Sequence, residues 1–135
     1  MSLELIVVTP QGQAFADSVE WVVLPGLEGD LGVLEQHERF LTTLRFGEME
    51  VRNTNGRQWR AVTEGFAEVD AEQVVVLADH YQRVDQIDRA EVTRERDRLR
   101  EALQDLSGSR EDEARRPAIE AALARADLRL KALDR

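Results

Sequence analysis

Gly65-Phe66-Ala67-Glu68-Val69-Asp70-Ala71-Glu72-Gln73-Val74-Val75-Val76-Leu77-Ala78 reads as two short apolar, β-branched runs separated by Asp70-Ala71-Glu72, a strand, a turn and a strand. From Asp85 onward the apolar period changes from two to about three and a half. Val92, Leu99 and Leu106 recur every seven residues, with Ala102 and Leu103 widening the stripe toward its end. The change of period divides the chain into residues 1–84, a β-domain, and residues 85–135, a helical hairpin.

Upstream of Gly65 the β pattern continues. Leu3, Leu5 and Val7 alternate with Glu4, Ile6 and Val8, and Thr9-Pro10-Gln11-Gly12 supplies the turn. Trp21 to Leu24 form an apolar run closed by Pro25-Gly26, and Glu48 to Arg52 are expected to pair with Arg57 to Thr63 around Asn55-Gly56, the favoured two-residue hairpin signal. About eight strands with connections this short imply antiparallel pairing in a β-sandwich or flattened barrel. The fold class is therefore α+β, an N-terminal antiparallel β-sandwich followed by a C-terminal antiparallel two-helix hairpin.

In the helical part, Ser107-Gly108-Ser109 breaks the first helix, and Ser109 with Asp112 fits a capping arrangement for the second. Ile119, Ala122, Leu123, Ala126, Leu130 and Leu133 form a seam suited to packing on the first helix. Pro117 places the regular start of the second helix near Arg116, because a proline deeper inside costs about 3 kcal/mol, and leaves Arg110 to Arg115 as a loose turn. The alanine-rich seam buries little area, so the hairpin is expected to be marginally held and able to move.

Composition removes whole classes of function. The chain of 135 residues has no cysteine, which excludes disulfides, thiolate catalysis and cysteine zinc sites. His37 and His80 stand far apart with no ligand spacing, so no metal and no cofactor is expected. Residues 1–84 carry 14 acidic and 6 basic side chains, a balance of −8 that would repel nucleic acid, whereas residues 85–135 carry 13 and 12. No export signal is visible, and no apolar run approaches the ~20 residues needed to cross a bilayer, so membrane association is expected to run through another protein. No nucleophile with a base, no carboxylate pair and no cofactor loop is evident, which argues against an enzyme. Gly26-Leu27-Glu28-Gly29-Asp30-Leu31-Gly32 is glycine-rich, but it lacks the lysine of a phosphate loop and leads into strand-like residues. It reads as an interaction loop, with Glu28, Asp30, Glu35 and Glu38 facing solvent.

The order of these features resembles the epsilon subunit of rotary ATP synthases along the whole chain. The carrying residues are Glu28-Gly29-Asp30-Leu31-Gly32-Val33-Leu34, His37, Leu41-Thr42-Thr43-Leu44, Gly65 to Val69, Val74 to Asp79, and the charged hairpin. Where the family has Pro-Gly before the histidine this chain has Glu35-Gln36, and Glu38-Arg39 replaces Ala-Pro after it, so the turn around His37 is expected to differ.

The resemblance implies a non-catalytic central-stalk subunit of a proton- or sodium-translocating synthase. Its sandwich would bind the gamma subunit and rest on the c-subunit ring, without forming a homo-oligomer, at the cytoplasmic face of a bacterial plasma membrane. Glu28, Gly29, Asp30 and His37 would meet the c ring. The hairpin would regulate ATP hydrolysis, with Arg94, Arg98, Arg125 and Arg129 reaching the alpha and beta subunits of the catalytic head. Arg125 and Arg129 share a helix face, while pairs within one helix involving Glu91 and Glu95 could equally absorb Arg94 and Arg98. Some family members bind ATP through Ile-Asp-x-x-Arg-Ala at the start of the hairpin. Here Ile87 and Asp88 are retained, but Glu91 stands where the arginine should be and would repel phosphate, so no nucleotide site is expected. The alternative reading is a free-standing nucleotide-sensing regulatory protein.

Overall fold

A computed structural model describes residues 3–34, 36, 38–54 and 56–134. The chain forms two compact units that divide between Val84 and Asp85. The first contains ten strands among the described residues: β1 (Leu3–Thr9), β2 (Gly12–Val19), β3 (Trp21–Gly26), β4 (Gly29–Leu34), β5 (Phe40–Leu44), β6 (Gly47–Asn53), β7 (Gly56–Val62), β8 (Gly65–Val69), β9 (Gln73–Ala78) and β10 (Tyr81–Arg83). Their order is β10-β7-β6-β3-β5-β8-β9-β1-β2, with β4 paired to β3. Described residues from β1 through β9 feed one apolar core, so the sheet folds over itself as a sandwich.

The alternation that marked the strands also chooses the faces. Leu3, Leu5 and Val7 are fully buried while Glu4 between them is exposed. The same period buries Ala67 and Val69 from β8 and Val74 and Val76 from β9. Pairing departs from the antiparallel expectation once: β1 runs parallel to β9, from Glu4 beside Gln73 to Val8 beside Leu77. Parallel neighbours need a long crossover, and here the whole chain between the first and ninth strands supplies it. Strands β6 and β7 pair as expected, but not around Asn55-Gly56: Arg52 faces Arg57, and Gly56 already belongs to β7 beside Asn53, while Asn55 lies outside the described residues.

Among the described residues of this unit, Glu50 is the buried carboxylate, 4% exposed. Its Oε1 accepts hydrogen bonds from Nε of Arg57 and, at 2.6 Å, from Nε of Arg52, whose guanidinium lies 3.9 Å above the Trp21 ring. The Arg57 hydrogen bond, followed by those from Arg52, holds the Glu50 carboxyl below the ordinary glutamate value. A carboxyl depressed in the folded state stabilises the fold above its unfolded value of about 4.3, and that contribution disappears as pH falls through the folded value. Glu50→Gln is therefore expected to melt lower than the parent at pH 7, with the gap closing on acidification below about pH 4. Thermal melts from pH 7 to pH 3 check this; a gap independent of pH refutes it.

The second unit contains α1 (Arg89–Gln104) and α2 (Arg110–Leu133). Asp88 caps α1 by accepting from the amides of Ala90 and Glu91, and Leu106 lies beyond the helix end. The expectation for α2 needs correction: it starts at Arg110, with Arg110 to Arg115 helical and Pro117 inside the helix. The reason is a cap stronger than the sequence pair alone conveys. Ser109 Oγ accepts from the Asp112 amide, and the Asp112 carboxylate in turn accepts from the hydroxyl and amide of Ser107 at 2.6 and 2.7 Å. Those bonds, the Ser107 hydroxyl foremost, hold the Asp112 carboxyl below its usual range. Glu111, Asp112 and Glu113 fill the first turn, where negative charge complements the helix dipole. Together they hold the helix open to its first residue against the proline.

Candidate functional site

Pairing of β3 with β4 continues to Gly26 beside Gly29, so only Leu27 and Glu28 form the turn. The expected loop is a hairpin tip, and Gly29 and Asp30 already belong to β4. The two glycines are favoured there for different reasons. Gly29 has φ +139°, and a Cβ on Gly26 would lie 2.6 Å from the Gly29 carbonyl oxygen. Arg45 clamps the tip from the end of β5. Its amide donates to Pro25 O at 2.8 Å, its Nη1 donates to Gly26 O at 2.6 Å, and its Nη2 pairs with Asp30. Asp30 is thus engaged within the chain, whereas Glu28 is exposed and makes no ion pair among the described residues.

His37 and Glu35 lie outside the described residues. Gln36 between them has φ +61°, and its amide donates to Ala71 O at 2.6 Å. Gln36 thus adopts the left-handed conformation that a glycine would take freely, with the steric cost of a side chain there. The carboxylates of Glu28, Asp30 and Glu38 face solvent.

The tip runs into an apolar outer face of the sandwich. The Leu27 amide donates to Thr43 O, which sets Leu27 beside Thr43. Register then aligns Thr43 with Phe66, Phe66 with Leu77 and Leu77 with Val8. Leu27, Phe66 and Leu77 are 65%, 51% and 48% exposed, and Leu41, two residues along β5 from Thr43, is 69% exposed. Val8, Thr43, Phe66 and Leu77 line a shallow groove of about 530 Å³ rimmed by Glu64 and Asp79. Exposed large apolar residues in one row, with an acidic rim, mark a docking face for a partner that brings apolar and cationic groups.

The hairpin arginines do not share one environment. Arg94 and Arg98 are exposed, Arg125 is half-buried, and none of the three forms an ion pair among the described residues. Arg129 reaches across to α1 and pairs with Glu95 at 3.0 Å. Arg89 pairs with Asp134 and Arg100 with Asp127 in the opposite sense, with the cation on α1. Charge on α1 is thus absorbed across the hairpin more than along the helix. At the start of α1, Asp88 is occupied as a cap and Glu91 follows in the first turn. Among the described residues there is no group of three metal-ligating side chains, and no helix is long and apolar enough to cross a membrane.

Sequence reading alone overlooked Arg45 and the apolar row. Arg45 carried no motif. The row was visible as leucine and phenylalanine at outward positions of alternating strands, but only the register shows that they align.

Residues 2–84 match the family model described as ATP synthase, Delta/Epsilon chain, beta-sandwich domain. The chain is 40% identical over 95 residues to the ATP synthase epsilon chain of Desulforamulus reducens, covering 68% of this chain and 71% of that one. It is 42% identical over 77 residues to the ATP synthase epsilon chain of Helicobacter pylori strain Shi470, covering 57% of this chain and 63% of the relative, a little under two thirds of its length. Among solved structures it resembles a chain of the Euglena gracilis mitochondrial ATP synthase OSCP/F1/c-ring assembly, with a TM-score of 0.64, 20% identity, and coverage of 98% and 78%. A chain of the Tetrahymena thermophila mitochondrial ATP synthase central stalk/c-ring is similar with a TM-score of 0.54, 17% identity, and coverage of 98% and 97%. At those identities the structures show a shared fold.

Proposed function

Because the chain belongs to the ATP synthase delta/epsilon-chain family, we propose that it works as a non-catalytic rotor subunit of a proton- or sodium-translocating synthase. In this reading it joins the gamma subunit to the c ring at the cytoplasmic face of the membrane. The observation that carries the proposal is the continuous arrangement of an apolar row and a clamped hairpin tip. The row of Leu27, Phe66 and Leu77 is the gamma-docking face, where burying half-exposed side chains supplies affinity. The tip, with Glu28 outermost and Asp30 held by Arg45, meets the polar loops of the c ring, and charge there gives orientation more than affinity. His37 is assigned to the same contact through the family pattern.

The hairpin is the regulatory part, inhibiting ATP hydrolysis when Arg94, Arg98, Arg125 and Arg129 engage acidic segments of the head. Capping by Asp88 and the position of Glu91 weigh against the free-standing nucleotide sensor, since the carboxylate that would serve a ligand is committed to α1. Co-purification tests the assignment: tagged full chain is expected to retain gamma and the c ring, and recovery as a lone monomer overturns it. Deleting residues 86–135 is expected to raise ATP hydrolysis by the assembled head, and unchanged activity overturns the inhibitory role.

A further inference from the structure

Of the four arginines assigned to the catalytic head, Arg129 alone is already paired within the described residues. Its Nη2 lies 3.0 Å from Glu95 Oε2, and this pair is the most sheltered of the cross-helix set, with side chains 25% and 37% exposed. Arg89 and Asp134 are 56% and 69% exposed, and Arg100 and Asp127 stand 4.0 Å apart at 54% and 51%. The Nε of Arg129 is also buried, without a hydrogen-bond partner. Val92 is the buried residue of α1, and Ala126, Leu128, Leu130 and Ala132 are those of α2.

We propose that Glu95 is a latch that holds Arg129 in reserve. The carboxylate keeps α2 against α1, and while it does so Arg129 is withheld from any acidic partner. Engagement of the head then exchanges one carboxylate for another on the same guanidinium. An exchange of like for like is nearly balanced in energy, so a small bias can drive it in either direction. The pair matters because α1 contributes a single buried apolar side chain, Val92, so the apolar area that resists separation of the helices is limited. The unsatisfied Nε gives Arg129 a further reason to leave: a buried donor without an acceptor is costly, and an acidic surface offers one. Arg94, Arg98 and Arg125 are available at all times, and Arg129 adds its charge only after the latch opens. The inference rests on the regulatory reading of the hairpin, and its test separates the two.

Because the chain has no cysteine, Glu101→Cys on α1 and Ala124→Cys on α2, both at exposed positions, give two unique spin-label sites in the full chain. Pulsed electron resonance then reads the inter-helix distance. Glu95→Gln is expected to raise the population with separated helices about threefold, the effect of losing one partly exposed pair. Arg129→Gln should do the same, and the charge reversal Glu95→Arg with Arg129→Glu should return the distances to those of the parent. In the assembled head, Glu95→Gln is expected to deepen inhibition of ATP hydrolysis about threefold, whereas Arg129→Gln relieves it. Distances unmoved by Glu95→Gln, with helicity retained by circular dichroism, overturn the latch. Distances that shift as described with hydrolysis unchanged in every variant overturn the inhibitory reading while leaving the latch in place.

Discussion

Gly65→Ala is expected to melt at least about 12 °C below the parent, a loss of about 3 kcal/mol or more in a domain of this size. A Cβ at Gly65 would lie 1.9 Å from the Leu77 carbonyl oxygen, 3.0 Å from its carbon and 3.1 Å from the Ala78 Cα. All three are backbone atoms of β9, so no rotamer change can relieve the clash. Nor can β8 move away. Gly65 is paired with Ala78 on one side and Leu44 on the other, and Leu44 and Ala78 belong to the core. Shifting β8 toward β5 compresses one ladder to relieve the other, and the core packs too densely to absorb it. Gly29→Ala provides the comparison. That glycine has φ +139° but nothing within 4 Å of the added carbon, so only backbone strain of about 1 kcal/mol is expected. Circular dichroism melts of both variants decide the matter. If Gly65→Ala melts no lower than Gly29→Ala, β8 and β9 do not approach as closely as described.

The same segment shows what a sequence can disclose. The runs Gly65 to Val69 and Gln73 to Ala78 emerged as β8 and β9 at those residues, because alternating apolar side chains and a polar turn leave one register that buries Ala67, Val69, Val74 and Val76. Local pattern also located the step near residue 84, where the period changes. What it could not show depends on long-range pairing or on summed small terms. β1 beside β9 in parallel is invisible to neighbours in sequence. The start of α2 differs from the expectation because Ser107, Ser109, Asp112 and the acidic first turn act together against the single proline penalty.

Alternation misled in another way at β7. Arg60 sits 1% exposed, with Nε donating to the Tyr81 hydroxyl and its guanidinium 5.1 Å from the Phe15 ring, and no pattern of apolar residues announces a buried arginine. Of the site, the glycines and Asp30 were legible from the motif. Arg45, fifteen residues away from Asp30, became visible only through the fold.

In the proposed gamma-docking role of the apolar row, Phe66→Glu is expected to weaken binding to the gamma subunit at least about 100-fold while leaving the sandwich folded. Two effects add. The lost aromatic side chain removes apolar burial of about 1.5–3 kcal/mol at a docked interface, and a glutamate buried there without a partner costs several kcal/mol more unless it draws a cation. Together they exceed the 2.8 kcal/mol or so that a hundredfold change requires. The fold should tolerate the change because Phe66 points outward at 51% exposure, while its neighbours Gly65 and Ala67 hold the strand to β9 and the core. Leu34→Glu is the discriminating control. Leu34 is 58% exposed, but it pairs with Trp21 at the far end of β3 from the row of Leu27, Thr43, Phe66 and Leu77. Calorimetric titration of gamma with each variant should leave Leu34→Glu near the parent affinity. If instead Leu34→Glu loses affinity and Phe66→Glu keeps it, gamma docks over β3, β4 and β6. The Trp21, Arg52 and Arg57 cluster around Glu50 would then be the interface, and the apolar row would await another occupant.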